Sequence, residues 1–444
     1  TISKISQSGK LVLPVHHSTG SVARALTNTL LSIYKVTAGT IPRPRARQAT
    51  IKPHHRLYSI PKTVTTSLKH LDLNPVLYRT ISCTACFTQY DLVTPLVKCP
   101  QRFNTRSKIC GASLRRPNGR PICQFATQSL IDWITKLVMR PGVEEQLRTS
   151  LSKKPPQDGR MRDVWDSPLW AELEAPKADG GHPFLSVDGN LAFSCFIDWF
   201  NPNGNKTAGK HSSVGAIVLF CLNLPPGERL KPHNIFVARI IPGPKEPSVL
   251  QINNLIRPLV SELLLLWTTG IICPTPGTTN GRVFRAALIA LVCDLVAARK
   301  VAGLASHSAK FFCTLCLLLK EQMDSLDVDS WIRRSIEDHR ASADAWRVTT
   351  LVKEREHIFK TTGIRHSLLD NLPYWDPLRM VVIDSMHNVS GVLENHARRI
   401  LGIDVQATKK QEKLDTITLK LVAAALEEAA DADEPEDVAE GDTD

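Results

Sequence analysis

LAFSCFIDWF, residues 191–200, is an apolar run interrupted by one carboxylate, Asp198, and a turn-forming stretch, NPNGNK (201–206), follows at once. Leu191 through Ile197 read as a buried strand, and the Asn, Pro and Gly after it read as its end. Burying a carboxylate is costly unless something compensates it. Asp198 is therefore read as an acid emerging at the edge of a sheet. SVGAIVLFCL (213–222) is a second strand-like run, so the two form a hairpin pattern across the polar stretch between them. IFVARIIPG (235–243) reads as a third strand, closed by Pro242, Gly243 and Pro244. Residues 247–267 read as a helix, with Leu255, Leu259, Leu263 and Trp267 at helical spacing. RVFRAALIALVCD (282–294) then repeats the opening pattern, an apolar run closing on Asp294. Together these segments predict an α/β core with acids at strand ends. Such acids can converge on Mg²⁺, which takes carboxylate oxygens, and a pair of such ions suits displacement at a phosphodiester.

Composition narrows the class. The chain has 444 residues, 43% hydrophobic and 22% charged, which is ordinary for a folded protein of two or three domains. The net charge is +12, unevenly spread. Residues 1–70 hold eleven Lys and Arg and no acid, whereas residues 427–444 hold ten acids and no base. Setting both ends aside leaves +11 on residues 71–426, so the middle is itself basic and favours a polyanion partner, most simply nucleic acid. The strongest apolar run, Leu255–Ile272, is broken by Arg257, Pro258 and Glu262, short of the roughly 20 apolar residues that a membrane helix needs. The acid-free start has the composition of a transit peptide, and equally that of a disordered basic arm, the reading preferred for IPRPRARQATIKPHHR.

Six of the eleven cysteines are clustered. Cys83 and Cys86 form CTAC, Cys99 follows after twelve residues and Cys110 after ten more, which is a spacing used by tetrahedral zinc sites. Cys123 is the alternative fourth ligand, and an even set of disulfides is the plainer competing account. Cys313 and Cys316 form a second knuckle, CTLC, with no cysteine after it. A closed zinc site there needs histidine, and His387, His396 and His307 are the candidates. Asp384, three residues before His387, reads either as a metal ligand or as a structural hydrogen-bonding group. The remaining cysteines read as buried small hydrophobes.

Several long stretches resemble the transposases of CACTA-type DNA transposons, in the form common in mushroom-forming fungi. They are DWFNPNGNKTAGKHSSVGAIVLFCLNLPP (198–226), IIPGPKEPS (240–248), RPLV (257–260), LVCDLVAARKVAGLASHSAKFFCTLC (291–316) and LPYWDPLRMVVIDSMHN (372–388). The likeness spans roughly residues 80–403 and includes FATQSLIDWITKLVMRPGVEE (125–145) and the first cysteine set. It implies a ribonuclease-H-like mixed sheet with a helical insertion, preceded by a zinc-binding module. It also implies a catalytic triad of acids in which Asp198 is the first and Asp294 the second, with Asp188 in LSVDGN as the rival for first place. The third acid of that family is a glutamate beyond DSMHN, for which Glu394 is the candidate here. Two catalytic Mg²⁺, structural Zn²⁺, DNA ends and target DNA as partners, a homo-oligomer and a nuclear location complete what the resemblance implies. His387 becomes the expected partner of Cys313 and Cys316.

The resulting organisation is a basic disordered arm (1–75), a zinc-binding module (76–125), a helical connector (126–180), the ribonuclease-H-like core (181–318), a helical insertion with DSMHN (319–403), and a helix with an acidic disordered tail (404–444). After Leu401 the sequence departs from the family pattern, so the expectation is a truncated or degenerate transposase. A non-catalytic, zinc-containing DNA-binding remnant is the alternative.

Overall fold

The computed structural model describes residues 75–102, 107–153, 158–175, 183–200, 213–241, 243 and 246–403. The basic arm, the 201–212 connection and the 404–444 tail of the sequence reading lie outside these residues. The chain divides into two compact units, 1–385 and 386–444.

In the first unit the strands are β1 (Leu77–Ser82), β2 (Gln89–Asp91), β3 (Gln124–Gln128), β4 (Asn190–Phe200), β5 (Val214–Cys221), β6 (Ile235–Ile241), β7 (Ile271–Thr275), β8 (Thr278–Cys293) and β9 (Val381–Ile383). Helices of six or more residues are α1 (Leu130–Val138), α2 (Val143–Arg148), α3 (Pro168–Glu174), α4 (Ile252–Thr268), α5 (Leu295–Ala302), α6 (Ile336–Val348) and α7 (Val352–Thr362). One mixed sheet runs β2-β1-β3-β6-β5-β4-β8-β7, with β9 also paired to β8. The β4–β5 and β5–β6 pairs are antiparallel, while β4–β8 and β8–β9 are parallel.

The expected hairpin is present, with Asp198 facing Ala216 across β4 and β5. Its first strand is longer than expected and continues through Trp199 to Phe200, so Asp198 is not its last residue. Both faces of the sheet centre are covered, which is why β4 and β5 read as near-continuous apolar runs rather than alternating ones. Leu191, Phe193, Cys195 and Ile197 face the main core with Leu255, Leu259 and Leu263 of α4. Ala192 of β4 belongs to a second cluster around Trp170 of α3, with Phe184 and Ala287. Trp267, at the end of α4, packs between Phe184 and Tyr374, at ring separations of 4.6 and 4.3 Å.

The cysteine-bearing segment is joined to this core by backbone pairing. β3 pairs with β1 on one side and β6 on the other, so the strands of residues 77–128 extend the central sheet. In the second unit, residues 386–400 are helical, with Gly391–Asn395 as a short α-helix.

Candidate functional site

Cys83, Cys86, Cys99 and Cys110 meet at one point, with all four sulfurs within 4.8 Å of one another. Cys83 Sγ stands 3.6 Å from Cys110 Sγ, and Cys86 Sγ stands 3.5 Å from Cys99 Sγ. Backbone turns gather them: Phe87 N–H donates to Cys83 O at 2.9 Å, with Phe87 at a positive φ of 59°, and Gly111 N–H donates to Cys99 O at 3.0 Å. All eleven cysteines are free, which removes the disulfide account. Cys123 stays apart, and its thiol is pushed up by burial. The hydrogen bond between Cys83 and Cys86 holds Cys86 down, at about 4, and pushes Cys83 up. Four sulfurs at these separations form a donor set that can hold zinc, since Zn–S bonds of about 2.3 Å put tetrahedral thiolates at close to the observed spacing. Among the described residues this is the one group of three or more His, Cys, Asp or Glu side chains gathered so closely.

The strand-end acids form a different arrangement. β4 and β8 run parallel with Asn190 opposite Arg285, and a bulge between Phe193 and Ser194 shifts the register so that Cys195 faces Leu291. Carrying that register three residues further sets Asp198 opposite Asp294; without the bulge it would fall opposite Cys293. A bulge re-aims side chains in this way. Ile197 N–H donates to Cys293 Sγ at 3.3 Å, which ties the two strand ends together. Burial pushes the Cys293 thiol well up, and the nearby carboxylates of Asp294 and Asp198 add to it.

β9 brings a third acid that the sequence reading did not place on a strand. Cys293 faces Ile383 in the parallel β8–β9 ladder, and Asp384 N–H donates to Cys293 O at 2.8 Å. Asp294 and Asp384 therefore directly follow two adjacent strands, and Asp198 lies two residues before the end of the third, all at the same end of the sheet. The signal was legible: VVID (381–384) is another β-branched run closing on Asp, but three residues are too few to stand out. Asp294 is also the N-cap of α5, accepting from Ala297 N–H at 2.6 Å through Oδ1. Asp198 Oδ1 accepts from Trp199 N–H at 2.7 Å.

Asp188 is held elsewhere. It precedes β4, at the opposite end of that strand from Asp198, and accepts from Arg282 Nη1 at 2.8 Å and Arg148 Nε at 2.9 Å. The Arg282 hydrogen bond keeps its carboxyl below the ordinary range.

Cys313 and Cys316 form a knuckle held by Arg334, whose Nε donates to both of their carbonyls at 3.2 Å. Burial pushes Cys313 up, but hydrogen bonds from Cys316 and backbone N–H groups bring it below the usual thiol value. His307 lies in an exposed turn of the same unit, His387 and His396 in the second unit. The side chain of His387 lies outside the described set. Glu394, in the second unit, pairs with Arg398 at 3.1 Å.

Residues 158–335 match the transposase family tnp2. That span contains Asp198, Asp294, Cys313 and Cys316; the four-cysteine cluster precedes it and Asp384 follows it. The match supports a transposase, and a transposase implies DNA as partner. No curated protein matches the chain.

Proposed function

We propose that this chain is a transposase of the CACTA type, built on a ribonuclease-H-like core and cutting and joining DNA strands with divalent metal. The observation that carries the reading is the end of the sheet where β4, β8 and β9, three adjacent parallel strands, bring Asp198, two residues before the end of β4, near Asp294 and Asp384, which directly follow β8 and β9. The sheet order β6-β5-β4-β8-β9, antiparallel on one side of β4 and parallel on the other, supports the ribonuclease-H-like assignment.

Carboxylate oxygens are the donors that Mg²⁺ takes, and bound Mg²⁺ supplies Lewis acidity and a nucleophilic water or hydroxyl at neutral pH. In this reading Asp198 and Asp294 would supply the carboxylate oxygens that hold the metal. Asp384 supplies a third carboxylate at that end of the sheet, and Glu394 is the family-based rival for the role. The bulge in the β4–β8 ladder serves to bring the first two acids level. The four-cysteine cluster would hold structural zinc, and Cys313 with Cys316 would form a second zinc knuckle. The enzyme works on chromosomal DNA, in the nucleus, as a homo-oligomer.

A non-catalytic DNA-binding remnant is the second reading. It is favoured by Asp294 serving as a helix cap and by the absence, among the described residues, of carboxylates gathered as tightly as the thiols. The deciding experiment is Mg²⁺-dependent nicking of DNA carrying the element's ends, with Asp198→Asn, Asp294→Asn, Asp384→Asn and Glu394→Gln compared. Activity that vanishes in the first two and in one of the last two supports the enzyme and names the third acid. Nicking unchanged in Asp198→Asn and Asp294→Asn sinks it.

A further inference from the structure

Away from the aspartate edge, a cavity of about 410 Å³ opens between three parts of the first unit. Arg102 and Lys108 of the cysteine-bearing segment form one wall, Arg257 of α4 the second, and Trp346 and Arg347 of α6 with Arg355 of α7 the third. No carboxylate lines it among the described residues, although Cys86 and Cys110 of the thiol cluster reach its wall. Cations crowded into a cleft repel one another, and a cleft in which one sign of charge predominates concentrates counter-ions.

The bonding of each group says what such a cleft can do. Arg257 and Lys108 are exposed. Arg102 donates to Ser107 O at 2.6 Å and is exposed as well. Arg347 shares its charge with Asp344 at 3.0 Å. Arg355 stacks 4.5 Å over the Trp346 ring and donates to the carbonyls of Trp346 and Thr349, so it builds the α6–α7 hairpin. The amides that reach the cavity are already engaged in structure. Gln251 donates to Ala85 O, Asn254 to Cys86 O at 3.0 Å, and Asn253 to His366 O at 3.3 Å while accepting from Leu368 N–H. Charges are thus offered to a ligand, while among the lining amides only Gln101 is exposed, and it donates to Arg102 O at 2.7 Å. That is the chemistry of a groove that follows a phosphate backbone without reading bases.

We infer that this groove binds the phosphodiester backbone of an unpaired DNA strand, independently of base sequence, through Arg102, Lys108 and Arg257. An unpaired strand is chosen because a concave cleft of about 410 Å³ can take one flexible backbone into it, whereas a duplex could only lie across its mouth. The inference rests on the transposase reading only for the choice of DNA as the polyanion.

The test uses the full chain and a labelled mixed-sequence single-stranded 20-mer, read by fluorescence anisotropy over a salt series without added Mg²⁺. Arg102→Ala/Lys108→Ala/Arg257→Ala is compared with Arg116→Ala/Lys320→Ala/Lys353→Ala, which removes three exposed cations elsewhere. The groove variant is expected to lose roughly tenfold or more in affinity. Its log K against log salt should flatten by about 0.7 for each phosphate contact removed. Its melting temperature should stay at the wild-type value. Equal losses in the two triple variants overturn the groove, as does duplex DNA or an RNA strand competing better than the DNA strand. Wild-type protein that binds through the groove yet never nicks removes the enzyme reading and leaves the groove standing. Nicking by wild type with no difference between the triple variants does the reverse.

Discussion

The four-cysteine cluster and the aspartate edge are both candidate metal centres on one sheet, and they are assembled differently. The sulfurs lie within 4.8 Å of one another, with Cys83 and Cys99 fully buried. The acids sit at or near the ends of separate strands, half-buried, and one of them is already spent on capping a helix. A structural zinc site is closed by its protein ligands, so its geometry can be complete in the fold alone. A catalytic site must leave positions for water and substrate. If the proposed catalytic role holds, its ligands are set in register by the strands and drawn together by what binds. The difference teaches that preassembly identifies a structural centre, whereas a chemical one is recognised by its position on the fold.

The sharpest way to break this comparison is to remove a thiolate. Cys99→Ser is expected to lose one zinc per chain and to unfold residues 77–128, with on the order of 10 kcal/mol of zinc-linked folding free energy involved. Metal analysis and near-ultraviolet circular dichroism check it; a protein that contains no zinc and melts unchanged refutes the structural role. The same analysis on Cys313→Ser tests whether the second knuckle holds its own ion, expected as a fall from two zinc to one.

Asp294 allows its two roles to be separated. Asn caps helices about as well as Asp, so Asp294→Asn should melt within roughly 0.5 kcal/mol of wild type. Nicking in the same variant should fall on the order of 10²–10³-fold if the carboxylate holds metal. Asp294→Ala should lose the same activity and about 1 kcal/mol of stability besides. A variant pair that differs from wild type only in stability would reduce Asp294 to a cap.

Packing behind the edge comes next. Gly215 faces Trp199 across β4 and β5, and a Cβ there would stand 2.8 Å from the indole Nε1. Trp199 lies next to Asp198, under Lys300 at 4.9 Å from the ring. Gly215→Val should displace the indole, cost about 1–3 kcal/mol, and lower nicking through Asp198. Tryptophan fluorescence together with a urea titration reads both effects, and unchanged emission with full stability contradicts the packing account.

The smallest effect is expected at the opposite end of β4. Asp188 is held below its ordinary value by Arg282, so its contribution to stability is present above the unfolded carboxylate pKa and is lost as pH falls through the lower folded value. Asp188→Asn should lose up to about 1 kcal/mol at neutral pH, less the more exposed the pair, and nothing once acid has protonated the wild-type group. Urea midpoints at pH 7 and near pH 3 measure this. Nicking that survives in Asp188→Asn and fails in Asp198→Asn would settle which of the two acids belongs to the edge.

The segments of β4, β5, β6 and β8, the hairpin and the four-cysteine spacing were legible in the sequence because each depends on local pattern. Apolar runs between Asn, Pro and Gly mark β4, β5 and β6, and knuckles written as CxxC mark themselves. The transposase likeness was legible for the same reason, through long contiguous stretches. What remained to tertiary structure was whatever depends on pairing between distant segments. No periodicity announces that a bulge at Phe193–Ser194 brings Asp198 level with Asp294 ninety-six residues on, because register is fixed by how two strands meet. β9 is three residues long, and its place beside β8 comes from an interstrand ladder that its own sequence cannot supply. The basic groove draws on three segments that are each ordinary alone. Charges far apart in the chain become one surface only when the sheet and helices set them side by side.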